Sequence, residues 1–266
     1  KPNCEERKTF FKTMLEGRSN PVENFDLDFL SEETHDCTYG KMTELFKKGL
    51  LKAKRKNEPL EQRHFALVFD EKIRYIIRLD PQVIDPKFSK DKLQLIAAHL
   101  AGQAAMCSIL DTEDKVAKVT LYPILGEDKK NMEHLGFVYG KLFYKHDEDC
   151  MHVHTGDELI KNAKVKLSGM LSQQMLQSQA SGYRISDRND AFDLARAMAF
   201  EGIDISKFSK EQMVTFNEKA WSIFKQWEEE VDTMLKKNKA KITSVAQALE
   251  KQMLLTGEQV DEIVNK

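Results

Sequence analysis

Two hydrophobic periods run along the chain. From 90 to 110 apolar residues recur at 93, 96, 97, 100, 104 and 107, the spacing of one helix face, with Ser89 placed to cap it. Two runs of strand length follow, Val116–Ile124 and Phe137–Tyr144, the second with alternating bulky residues. From Thr155 the period is helical almost to the end. Thr155-Gly156-Asp157-Glu158 has the spacing of a capping box, and Asn189-Asp190-Ala191-Phe192 opens a helix through Phe200. Glu211–Lys236 and Ile242–Leu254 predict two more helices, and Thr256-Gly257-Glu258-Gln259 caps a last short one. Upstream, 65–69 and 73–79 carry β-branched and aromatic residues at strand spacing around Asp70-Glu71-Lys72, which predicts a short β-hairpin over 65–79. Pro81 and Pro86 then break the chain. Residues 1–60 are polar and rich in Lys and Glu, with short amphipathic pieces at Thr9–Leu15 and Met42–Leu51. The expected fold is mainly α: an N-terminal extension over 1–88 that packs on something else, and a helical domain over 89–266 with a small β-element between its first and second helices.

Composition narrows the function classes. At 41% hydrophobic and 32% charged residues, the 266-residue chain can bury a core and keep a solvated surface. Its 41 Lys and Arg nearly balance 43 Asp and Glu, a net charge of −2 that offers no general basic excess for nucleic acid. The basic run Lys52-Ala53-Lys54-Arg55-Lys56 reads as a solvated helix end or a linker. Cys4, Cys37, Cys107 and Cys150 stand far apart with no CxxC pair, a pattern that suits a reducing compartment. No uninterrupted apolar run nears the roughly 18 residues of a membrane span. The chain opens at Lys1 without methionine, which fits either a removed targeting peptide or a piece of a longer protein.

The long helix carries Ile96-Ala97-Ala98-His99-Leu100-Ala101-Gly102-Gln103-Ala104-Ala105. This resembles, in altered form, the "AxHEAGHA" helix of the FtsH family of ATP-dependent zinc metalloproteases. Further segments follow in the family's order. Val116–Pro123 resembles "VxKVTIxPRG", Leu135-Gly136-Phe137-Val138 stands where the family has "LGYT", and Ser168–Gln174 is similar to "GGRxAEE". Asn189–Met198 resembles "SNDLxxATxxARxMV", and 238–264 resembles the closing "LAxxLLEKExLxGEEVxxI". The likeness covers roughly 89–264, so the implied fold is an FtsH peptidase-like helical domain. Residues 1–88 do not match, and no GxxxxGK[ST] loop is present to cradle phosphates.

The same resemblance implies lost chemistry. HExxH places two histidines on one helix face to bind zinc, while the Glu between them activates the zinc-bound water. Carried over residue by residue, His99 matches the first ligand and Asp190 the third, but Gln103 stands at the second ligand and Leu100 at the general base. Without that base, a factor of about 10²–10⁴ is gone. Beside this reading, His99 fits a hydrogen-bonded core histidine, and Asp190 fits a helix N-terminal residue favoured by the dipole. Gln173 and Gln174 stand where the family has a Glu pair. Cys150, His152 and His154 form the one local cluster of zinc-type donors, a low-order alternative for a structural metal, and Cys107 and Cys150 lack the partners of a nucleophile.

The expectation is therefore a pseudoprotease without cofactor or metal, serving as a structural or accessory subunit of a larger complex. The setting expected is mitochondrial, on the matrix side or inner membrane, with a plastid as the alternative. Partners would be other protein subunits, with no nucleic acid, no transmembrane helix of its own, and membrane association only through partners. Two other readings stand beside it: a divergent zinc-dependent hydrolase using His99, Asp190 or the His152/His154 cluster, and an adaptor regulating active FtsH-type proteases.

Overall fold

The N-terminal residues form helices that close on a core of their own. A computed structural model of the chain describes residues 1–16, 25–74, 76, 89–125, 137–144, 155–178, 185–199 and 210–266. Helix α1 (Cys4–Leu15) starts at Asn3, whose side chain accepts from the Glu6 amide while the Glu6 carboxylate accepts from the Asn3 amide. Helix α2 (Leu27–Glu33) is capped by Asp26, and α3 (Tyr39–Lys56) runs from a Thr38 cap to Asn57 in the left-handed region at φ 54°. Helix α4 (Gln62–Lys72) follows. Phe11, Leu30, Phe46, Phe65 and Phe69 are buried together, and the Phe46 and Phe65 rings lie 5.3 Å apart.

One expectation is corrected here. Residues 65–72 are helical, not the first strand and turn of a hairpin. Phe65, Val68 and Phe69 sit at i, i+3 and i+4 and turn one apolar stripe into the core; a five-residue apolar run cannot show which period it follows. The helix start also lay hidden, because its cap is unusual: the Glu61 amide donates to Nδ1 of buried His64 at 3.0 Å. Of the expected second strand, Ile76 makes an isolated bridge to Ile124, and 77–79, Pro81 and Pro86 lie outside the described residues. This stretch closes on apolar residues of its own. The chain divides into two compact units, the first holding Lys1–Leu79, Pro123–Val138 and Lys145–His152, with its own core, and the second holding Asp80–Tyr122, Tyr139–Tyr144 and Val153–Lys266.

The second unit is built on helix α5 (Lys90–Leu110), begun by Ser89 accepting from the Lys92 amide at 3.2 Å. Strands β1 (Val116–Leu125) and β2 (Phe137–Tyr144) come next. Then follow α6 (Gly156–Gln177), α7 (Ile185–Ala199), α8 (Lys210–Lys237) and α9 (Lys239–Gln252). A three-residue strand β3 (Leu254–Thr256) leads into α10 (Gly257–Val264). The fold is mainly helical, with one small sheet in the order β2-β1-β3.

Strand β3 was not foreseen, because Leu254 reads as the end of the preceding helix. Met253 turns the chain at φ 63°, and β3 pairs antiparallel with β1 through Val119 and Leu255. The next residue must be glycine: a Cβ at Gly257 would stand 1.8 Å from the Val116 carbonyl oxygen. Thr256 and Gln259 then complete the capping box read from the sequence. At α6 the box is only half made. Thr155 caps the Glu158 amide, but the Glu158 carboxylate accepts from the Glu113 amide at 2.5 Å, tying α6 to the turn after α5.

Helix α5 occupies the middle of the second unit's core, with Leu100, Ala104, Val119, Leu167, Phe224 and Leu249 buried together. By length and composition it is also apolar enough to cross a membrane, with mean hydropathy 1.5 over its best window, although its residues do not form an unbroken apolar run. Two thirds of that window (67%) is buried inside the protein, so the apolarity is accounted for by the core it packs. Helix α6 crosses α5 at Gly102 and Gly169, where glycine lets the two backbones approach.

Candidate functional site

Residues His99, Gln103 and Cys107 recur every four positions along α5 and so share one stripe of the helix. Opposite this stripe, α7 presents Asp187. Its Oδ2 lies 3.2 Å from His99 Nε2 and accepts from Gln103 Nε2 at 2.8 Å. The site is nearly closed to solvent, with His99 and Gln103 buried and Asp187 partly so. A carboxylate can only accept, so the His99 contact puts the proton on Nε2.

The neighbouring helices set this geometry. Gly169 of α6 lies beneath the imidazole, and a Cβ there would meet His99 Nε2 at 2.5 Å. Gln173, one turn on, is fully buried and donates to the Leu95 carbonyl at 3.0 Å, fastening α6 to α5. Helix α7 is held on α8 by Phe192, Trp221 and Phe224, with ring centroids 5.5 Å apart. Arg188, next to Asp187, bonds Glu228 at 3.3 Å and covers the Phe224 ring at 4.9 Å. Asp187 thus has its position fixed from both sides of the helix that carries it.

The sequence reading assigned the acid to Asp190, and the structure corrects it. Helix α7 is already helical over Ile185–Arg188, so Asn189 and Asp190 do not open it. Asp190 is exposed and pairs with Lys166 at 2.6 Å on the surface. Asp187 takes the place beside His99. A signal for this was available. Counted back from Ala195-Arg196, the "SNDLxxATxxARxMV" pattern sets its aspartate at Asp187 and its first alanine at Ala191. The segment Asn189-Asp190 drew the alignment one turn too far.

Leu100 is fully buried in the core, 0% exposed, and has no group to accept a proton. The zinc that the resemblance implies needs three protein donors with a fourth position open to water. These residues do not fit it. His99 and Asp187 are two donors where three are needed, and Gln103, at the third position, offers a neutral amide that donates to Asp187. What the cluster can do is stabilise a partly buried carboxylate with two hydrogen bonds and brace α5 against α7. Among the described residues, no group of three or more His, Cys, Asp and Glu side chains could hold a metal ion. Cys150, His152 and His154 lie outside the described residues.

Cys107 is not a nucleophile in this setting. Burial pushes its thiol up to about 12, more than hydrogen bonds with Thr112 and Tyr144 hold it down. At about pH 8 only a trace is thiolate. Iodoacetamide at that pH is expected to leave Cys107 unmodified in the folded protein and to alkylate it after denaturation, as read by peptide mass spectrometry. Rapid labelling of folded protein would show that the thiol is not shielded.

Compared with family models and with curated proteins, the chain finds no match.

Proposed function

We propose that the chain is a catalytically inactive, FtsH-peptidase-like protein that serves as a structural or accessory subunit of a larger assembly, in a mitochondrial membrane-associated setting. One observation carries the reading: Gln103, a neutral amide, bonds Asp187 where a second imidazole would stand, while Leu100 lies sealed in the core where a general base would stand. A hydrolytic role would need a metal-bound water or a side-chain nucleophile, and neither His99, Leu100, Gln103 nor Cys107 supplies one. The ordered likeness over 89–264 supports descent from a peptidase, and the exchange of ligand and base for Gln and Leu supports a surviving role in binding.

The test is metal content in the purified chain together with the Gln103→His variant. The native chain is expected to hold no stoichiometric zinc and to co-purify with protein partners at a constant ratio. Gln103→His restores a second imidazole at i+4 beside Asp187, and is expected to take up about one zinc per chain. It should remain inert towards casein, because Leu100 is unchanged. About one zinc per native chain with chelator-sensitive proteolysis would overturn the inactive reading. A folded Gln103→His protein that takes up no zinc would overturn descent from a peptidase site.

A further inference from the structure

We propose that the groove between α3 and α4 docks an acidic segment of a partner protein, with one apolar side chain of that segment seated on Leu51 and Val68. The inference uses only residues of the first unit and stands independently of the proposed function.

Charge on this chain is unevenly spread. The whole carries −2, yet α3 alone places seven lysines and arginines against a single acid, Glu44. Three of those cations, Lys54, Arg55 and Lys56, sit in its last turn, where the helix dipole favours them. The dipole does not account for Lys52 and Lys48, one and two turns earlier. These two, with Arg55 and with Lys72 from α4, line a groove of about 290 Å³. Lys48 pairs with Glu44, and Lys52 with Glu71 at 2.7 Å. Arg55 and Lys72 have no ion-pair partner among the described residues. The groove therefore presents four cations to one lining carboxylate, Glu71.

The apolar part of the groove decides which polyanion fits. Leu51 is 51% exposed, and Val68 lines the same groove. A phosphate backbone carries no apolar group to set on Leu51. A membrane surface needs a convex apolar face, and one leucine adds only about 1.5–3 kcal/mol of burial. A peptide with an apolar residue between carboxylates matches both features, the anchor filling the slot and the acids reaching the cations around it.

Fluorescence anisotropy on the full chain tests this, with a labelled seven-residue peptide of Glu and Asp around a central Leu. Binding in the micromolar range at low salt is expected, weakening as salt rises. Arg55→Glu with Lys72→Glu is expected to weaken it about tenfold or more, and replacing the probe's Leu by Ser to weaken it several-fold, about the worth of one buried side chain. The last change leaves the protein untouched, so it reads the apolar slot without any question of folding. Three outcomes would overturn the proposal: no binding of the acidic peptide; indifference to its central Leu; or tighter binding of a single-stranded oligonucleotide or phosphatidylserine vesicles, which would assign the basic face to nucleic acid or lipid.

Discussion

Gly102→Ala is expected to destabilise the second unit by about 1–3 kcal/mol, despite alanine's better helix propensity of about 1 kcal/mol. A Cβ at Gly102 would fall 2.1 Å from Ser172 Oγ, 2.6 Å from Ser172 Cβ and 2.8 Å from the Ser168 carbonyl oxygen. Rotating Ser172 relieves only the first contact. The other two belong to the backbone path of α6, so α5 and α6 must move apart. That crossing also positions His99, whose ring lies against Gly169 one turn earlier on α6. The substitution should therefore loosen the His99–Asp187 contact as well as lower stability, which an imidazole NMR signal and a urea titration would read separately. Ser172→Gly in the same chain removes Oγ and Cβ and leaves the Ser168 contact, so a double-mutant cycle should show partial rescue. Ser172 is a lenient partner for this test, because its hydroxyl is buried with no hydrogen bond among the described residues and its loss removes an unsatisfied group. A neutral Gly102→Ala would mean that the helices are not in contact at this depth.

The helices of the second unit were legible because each carries its own punctuation. Ser89, Thr155 and Thr256 all cap where the sequence placed them, and the long apolar stripe between 93 and 107 is buried as its spacing requires. What stayed hidden was set by distant contacts. Strand β3 exists only because β1 offers it a partner, and no three-residue window shows that. The stretch at 65–69 was misread because Phe, Leu and Val in a short run satisfy helix and strand alike, and the core of Phe11, Phe46 and Phe65 decided between them. The short amphipathic pieces at Thr9–Leu15 and Met42–Leu51 were seen, yet nothing in them says that they bury against each other. At the site, His99, Leu100 and Gln103 could be named from spacing along one helix. Their partner comes from another helix, where one turn of register separates partly buried Asp187 from exposed Asp190.

The first unit holds the residue whose loss costs most. Arg74→Ala is expected to cost about 3–5 kcal/mol, the usual penalty for removing one partner of a buried charge cluster. Arg74 directs Nη2 to Glu33 Oε1 at 2.9 Å and Nη1 to Glu33 Oε2, a two-pronged contact that fits guanidinium to carboxylate. Its Nη1 also lies 3.9 Å from Asp70 Oδ1. Glu33 is 8% and Asp70 0% exposed, so truncation leaves two carboxylates facing a vacated cationic site in the interior. A whole domain holds only about 5–15 kcal/mol, so a loss of this size would take much of the first unit's margin. In a chain of two compact units a single unfolding midpoint would blur the effect. Hydrogen exchange resolves it: amides of α2 and α4 should lose protection while those of α5 and α6 keep theirs. Arg74→Lys keeps the charge but loses the fork, and should restore only part of that protection. Lys41→Ala, which breaks an exposed pair with Glu44, is the control and should leave exchange unchanged. If Arg74→Ala behaved like that control, the cluster would be screened as a surface pair is, and the helices of the first unit would owe their closure to Phe11, Phe46, Phe65 and Phe69 alone.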